Sequence, residues 1–219
     1  MNFQRIIVVV FALLILVTVV GIIFLPENIT YLIVKESGPI ENAQVIFYMT
    51  GAILSWIYAR RKIWDGGYQG SLILLIFAIR ELDFQKKFTG ISITRTKYYF
   101  HSDATLVAKL LCALIVISII VLFVLFIKKN LKVFSQHVKA HKNWSLSVLA
   151  GLLAMFFAIL VDGSLRVLES PGIESINHVN LLKTALEELL ELAISFFFLN
   201  ALLLYGSKTA TIPQEKRNC

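Results

Sequence analysis

Six long apolar runs follow one another along the chain, separated by short polar stretches, and their lengths carry most of the fold. A helix rising 1.5 Å per residue needs about 20 apolar residues to cross a hydrocarbon core of roughly 30 Å. The runs Ile6–Leu25, Asn42–Ala59, Leu110–Ile127 and Asn143–Val161 meet or approach that length. Gly66–Ile79 and Leu192–Tyr205 hold 14 uncharged residues each. By the same arithmetic each covers only about 21 Å. Their missing length comes from charged neighbours: Arg80-Glu81-Leu82-Asp83-Phe84 after the third run and Glu187-Glu188-Leu189-Leu190-Glu191 before the sixth. The expected fold is an all-α polytopic transmembrane bundle of six spans, 6–25, 42–59, 66–84, 105–127, 143–162 and 185–205. They form one membrane domain, 1–207, followed by a short tail, 208–219.

With alternating helices, the charged ends of the third and sixth spans emerge on the same side. Tilt or local thinning of the bilayer relieves part of the mismatch, so these groups are expected near the membrane boundary, facing the bundle, a partner or water.

Composition agrees, with 58% hydrophobic and 16% charged residues, where a soluble domain carries roughly 25% charged. The net charge of +7 could suggest nucleic acid, but its distribution argues otherwise. If the N-terminus is cytoplasmic, twelve of the 21 Lys and Arg fall on that side with two acids, Asp65 and Glu215. This positive-inside bias predicts both termini in the cytoplasm and membrane lipids, not nucleic acid, as the natural contact. The loop Lys86–Lys97 runs against the bias. The first run is too long for the apolar part of a signal peptide and lacks a small-x-small cleavage site, so it is expected to be retained. Cys112 and Cys219 lie at different depths and do not suggest a disulfide.

Aromatic residues mark the two boundaries: Trp56, Tyr58, Trp64, Tyr68, Trp144 and Tyr205 at one, Tyr31, Tyr98 and Tyr99 at the other. Ala150, Ala154 and Ala158, and Gly51 with Ser55, recur every four residues and predict faces of close helix approach.

Candidate chemistry gathers at the charged ends. Glu81, Asp83, Glu188 and Glu191 are the candidate acid/base groups or cation ligands. Arg80 and Asp83 can pair at i, i+3, leaving Glu81 on another face. Glu188, Glu191 and Ser195 share a stripe, whereas Thr184-x-x-Glu187 has the form of a capping box. Asp162, Arg166 and Glu169 can form an ionic ladder, or Arg166 can serve Glu188 or Glu191 as counter-ion. Glu41 opens the second span with Asn42 and Gln44, either complementing the helix dipole or walling the same pocket. Arg80 and Arg166, with Glu41 and the basic loop residues Lys86, Lys87, Arg95 and Lys97, are the candidate substrate-binding residues. The loop also carries Tyr98-Tyr99-Phe100, so it can hold an anionic headgroup while its rings rest in the interface, or simply follow the membrane surface. Ser102 or Asp103 is expected to cap the fourth span.

No cofactor is identified from the sequence. Crowded carboxylates suit a divalent cation such as Mg²⁺ or Ca²⁺, while no Cys/His set suggests zinc. His101 and His178, on the expected outer side, either join such a site or are ordinary loop histidines; His137 and His141 have helical ligand spacing but sit in a Lys-rich connector and read as part of a basic surface. No nucleophile elbow, phosphate loop, zinc-protease helix or dinucleotide fingerprint is present.

The strings Arg80-Glu-Leu-Asp-Phe-Gln-Lys-Lys-Phe-Thr89 and Glu187-Glu-Leu-Leu-Glu-Leu-Ala193 resemble segments of small, uncharacterised bacterial inner-membrane proteins. The resemblance covers less than a tenth of the chain and implies a multi-pass inner-membrane location without an activity. The leading functional expectation is an ionisable pocket on the non-cytoplasmic face that binds or modifies an anionic lipid or envelope precursor. A structural or accessory subunit with a membrane-protein partner, and a cation- or proton-coupled transporter, are the alternatives.

Overall fold

In the computed structural model the described residues are 24, 38–82, 96–101, 104–168 and 177–209, with side chains described at 24, 38–82, 98–100, 104–161 and 184–207. All regular structure among them is helical: α1 (Pro39–Arg60), α2 (Gly67–Glu81), α3 (Thr96–His101), α4 (Leu106–Lys139), α5 (Asn143–Leu168) and α6 (Asn177–Thr209). The segments Leu106–Lys139, Asn143–Val161 and Thr184–Ser207, of 34, 19 and 24 residues, are long and apolar enough to cross a membrane. The expected first span lies outside the described residues.

Local chemistry explains most of the boundaries. Pro39 opens α1, where its missing N–H costs nothing, and Glu41 in the first turn complements the dipole. The Asn42 side-chain amide donates to the Gly38 carbonyl at 2.9 Å. α1 ends in a Schellman motif, with Lys62 N–H donating to Ala59 O at 3.0 Å and Ile63 N–H to Tyr58 O at 2.8 Å. α4 ends the same way, with His141 N–H donating to Val138 O and Lys142 N–H to His137 O, both at 3.0 Å. Lys62 and His141 therefore occupy the left-handed position usually held by glycine, with φ of 55° and 49°.

Two starts differ from expectation. Thr105, not Ser102 or Asp103, caps α4: its Oγ1 accepts from Ala108 N–H at 3.3 Å. α6 already runs from Asn177, so Thr184 and Glu187 lie inside a helix and form no capping box.

The chain divides into two compact units, one of 1–43 and 150–196, the other of 44–149 and 197–219. In the first, Ala154 and Ala158 of α5 are buried, as their four-residue spacing predicts. Ala185, Leu189 and Leu192 form the buried stripe of α6 in that unit.

The second unit is built on an antiparallel α1–α2 hairpin. Its core joins Tyr48, Ala52, Leu74, Ala78 and Leu202. The hairpin closes tightly because Ser55 Oγ donates to Gly67 O at 2.8 Å, and a Cβ on Gly67 would lie 2.6 Å from the Ser55 carbonyl oxygen. Along α4 no residue is buried; a half-covered stripe at Cys112, Val116, Ile119, Phe123, Phe126 and Asn130 is flanked by exposed apolar side chains. An uncovered apolar surface of this extent is suited to lipid rather than water.

Candidate functional site

The pairing of residues across the α1–α2 hairpin fixes where the candidate acids stand. The Tyr48 and Phe77 rings are 5.4 Å apart. A Cβ on Gly51 would approach Leu74 Cδ1 to 3.2 Å, and one on Gly70 would approach Ser55 Oγ to 2.9 Å. Each step of three or four residues down α1 is matched by the same step up α2. One turn beyond Tyr48 and Phe77, this register brings Gln44 level with Glu81. Gln44 is fully buried and the Glu81 side chain is 8% exposed.

Arg80 Nε lies 3.7 Å from Glu81 Oε1, and the Arg80 side chain is 54% exposed. Consecutive residues on a helix point about 100° apart, so the carboxylate turns inward while the guanidinium turns out and meets it at the helix end. Sequence spacing alone favours an Arg80–Asp83 pair; the adjacent Arg80–Glu81 contact is the one observed, while Asp83 lies outside the described residues. At that distance the contact is electrostatic rather than a well-formed hydrogen bond.

The level of Glu81 along α4 follows from its neighbours. Phe77 meets Phe123 of α4 with ring centroids 5.7 Å apart, so Glu81, one turn on, stands near the level of Ile119. That position is roughly 12 Å from Ile127 and roughly 14 Å from Leu110, the two ends of the apolar run of α4. Glu81 is thus set inside this run instead of at its end. The cause is the anchoring of the opposite end of the hairpin. Trp64 Nε1 donates to Asn130 Oδ1 at 3.2 Å, three residues past the end of the run, and the 15 residues of α2 reach no further.

Beneath Gln44 and Glu81 the core cluster of Tyr48, Ala52, Leu74, Ala78 and Leu202 fills the hairpin. The next polar side chain along the buried stripe of α1, Ser55, is occupied by Gly67 O. The polar level is therefore closed on the side toward Trp64 by an apolar plug.

The other candidates fall as follows. Glu41, Glu188 and Glu191 belong to the first unit and are half-buried. Glu188 and Glu191 each precede by one residue the buried positions Leu189 and Leu192 and so flank the covered face of α6. Ser195 is 1% exposed and donates to Leu192 O at 2.8 Å, which accounts for its hydroxyl locally. Lys86, Lys87 and Arg95 lie outside the described residues; Lys97 and Arg166 lie on α3 and α5 with side chains outside them. Among the described residues no group of three or more His, Cys, Asp or Glu could hold a metal ion. His137 and His141 do not form a helical pair, because His141 lies past the end of α4 and His137 packs on Trp144 at 5.2 Å.

Sequence reasoning missed Gln44 as a site residue. The available signal was a long amide on the same stripe as Tyr48, Ala52 and Ser55, a position that in a membrane helix demands a polar partner. It also missed how tightly the opposite end is joined. Tyr205 rings contact Trp64 at 6.1 Å and Trp144 at 5.4 Å, and Tyr205 OH donates to Ile63 O at 3.3 Å. These three residues were expected at one boundary, and they touch.

Comparison of the chain with family models, with curated proteins and with solved structures gives no match.

Proposed function

We propose that the chain is a multi-pass integral membrane protein of a bacterial inner membrane, with both termini cytoplasmic. In this reading the polar level at Gln44, Arg80 and Glu81 opens toward the non-cytoplasmic side and holds an anionic lipid or envelope precursor. The observation that carries the reading is the division of labour between neighbours: Glu81 is buried level with Gln44, while Arg80 remains largely exposed beside it. A planar guanidinium is suited to bidentate contact with a phosphate. Glu81 orients it, and the long aliphatic stem lets the charge reach up toward the headgroup layer from within the apolar zone. The apolar plug below argues for binding from one side, and against the transport alternative, which needs polar groups continuing across the membrane.

The test is native mass spectrometry of the full chain released from mild detergent, comparing wild type with Arg80→Gln and Glu81→Gln. Wild type is expected to retain anionic lipid adducts. Arg80→Gln should lose most of them, Glu81→Gln a part, with zwitterionic adducts unchanged. Full retention of anionic lipid by folded Arg80→Gln would refute the reading; substrate flux through proteoliposomes would move it to transport.

A further inference from the structure

Two contacts fix which side of α4 meets the α1–α2 hairpin: Phe123 packs on Phe77, and Asn130 accepts from Trp64. The side turned away from the hairpin carries Leu114, Ile117, Val121, Val124, Lys128 and Leu131, all of them exposed. Their spacing alternates three and four residues, the period with which a second helix packs alongside in a left-handed pair.

Within the apolar run such a face is satisfied by lipid tails alone. Past the end of the run it is not. Leu131 lies four residues beyond Ile127, about 6 Å further along the axis, where headgroups and water replace hydrocarbon. It is nevertheless 55% exposed and stands on the same seam. The seam thus continues where lipid tails no longer cover it, along the path of a helix leaving the membrane beside α4.

Charge decides what kind of helix fits. Lys128 stands within the seam and Lys132 one turn on, both exposed. Among the described residues neither is ion-paired, and α4 carries no acidic residue from Leu106 to Lys139. A second copy of this chain, in the same membrane orientation, would set Lys128 against its own counterpart, so the seam disfavours self-pairing. A carboxylate on a different helix complements it. Membrane helices gain little from hydrophobicity when they associate, so polar groups of this kind select the partner.

We propose that this seam of α4 docks a transmembrane helix of a different protein, one that is apolar along Leu114 to Val124 and bears an acidic residue level with Lys128 and Lys132. Leu131 packs on that helix just outside the hydrocarbon.

The test uses the full chain in phosphatidylcholine vesicles with Val124→benzoylphenylalanine as a photo-crosslinker. The probe is a labelled leucine-rich transmembrane peptide with two glutamates one turn apart at one end, or two lysines in their place. The glutamate peptide is expected to crosslink about tenfold or more better than the lysine peptide. Lys128→Glu combined with Lys132→Glu should reverse that preference, which a misfolded chain would not do. Leu131→Gln should lower the yield severalfold, and the crosslinker at Leu75, exposed on α2, should give little adduct. Equal yields from the two peptides, or an unchanged preference in the charge-reversed variant, would overturn the proposal. Chain-to-chain adducts outnumbering peptide adducts would assign the seam to a second copy. Loss of the glutamate-peptide adduct on adding phosphatidylglycerol at the peptide's own mole fraction would assign it to anionic lipid; either result overturns the proposal.

Discussion

The indole N–H of Trp64 donates to Asn130 Oδ1 at 3.2 Å, and the Asn130 amide in turn donates to the Phe126 carbonyl at 2.8 Å. This relay fastens the loop between α1 and α2 to α4, with Trp64 also packed edge-on against Phe126 at 5.9 Å. Replacing Asn130 with Leu removes the acceptor and leaves a partly buried indole N–H to find another. Asn130→Leu should lower stability by about 1 kcal/mol. Trp64→Phe retains a ring but not the donor. A double-mutant cycle on thermal unfolding in detergent should give a coupling of roughly 0.5–1.5 kcal/mol between the two positions. Strict additivity would mean that the bond contributes nothing.

The hairpin itself rests on close backbone approach, which makes its glycines unequal. A Cβ at Gly67 would meet backbone atoms, the Ser55 oxygen at 2.6 Å and the Ala59 nitrogen at 2.9 Å. Neither can rotate aside, so Gly67→Ala must separate the helices, at an expected cost of about 1–3 kcal/mol. At Gly51 the nearest atom is the tip of Leu74, at 3.2 Å. Small movement of that side chain relieves the contact, and Ala is favoured over Gly in a helix by roughly 0.5–1 kcal/mol. Gly51→Ala should therefore be near neutral. Equal losses for the two variants in thermal unfolding would contradict this account of the packing.

Much of this architecture was open to sequence reasoning, for reasons that particular residues make plain. The apolar runs locate α1, α2, α4, α5 and α6, because a long uncharged helix is dictated by hydropathy alone. The brevity of the third run is physically expressed in the 15-residue α2. What escaped depends on distant pairing. The level of Glu81 is set by Asn130, 49 positions further along the chain, through the anchoring of Trp64. The start of α6 at Asn177 escaped because charged Lys183, Glu187 and Glu188 broke the apolar pattern without breaking the helix. Lys62 and His141 as left-handed cap residues are equally hidden, since glycine is the usual signal for that position.

Tyr98 provides a prediction in pH. Its hydroxyl lies 3.5 Å from Cys112 Sγ. That hydrogen bond, then burial, then the nearby Cys112 and Tyr99 raise the phenol above its ordinary value of 10.0. Burial likewise raises Tyr99. A raised folded-state value means that the folded protein holds the phenolic proton more tightly than the unfolded chain does. The associated stability is complete below the unfolded value, near pH 10. It is lost as pH rises through the raised value. Tyrosinate absorbance should therefore show a late-titrating component that is diminished in Tyr98→Phe and partly shifted to lower pH in Cys112→Ala. An unchanged titration in Cys112→Ala would remove the thiol as the principal cause.

The pair Ser147 and Asn200 tests how α5 and α6 are joined within the second unit. Asn200 Nδ2 donates to Ser147 Oγ at 3.1 Å, and Ser147 Oγ donates to the Phe197 carbonyl at 2.8 Å. Asn200 is 5% exposed and Ser147 7%, so neither group has ready access to water as a substitute partner. Such bonds between membrane helices are worth about 0.6 kcal/mol on average and at most about 1.7, because helices separated in the bilayer find other partners for the same groups. Ser147→Ala removes both links of the relay and leaves the Asn200 amide to be satisfied elsewhere, whereas Asn200→Leu leaves the Ser147–Phe197 bond in place. Ser147→Ala should therefore destabilise more than Ser147→Ala does in an Asn200→Leu background. The difference, read from thermal unfolding in detergent, should fall within the range given above. If Ser147→Ala costs the same in both backgrounds, the amide is not coupled to the hydroxyl, and α5 and α6 are held here by side-chain packing alone.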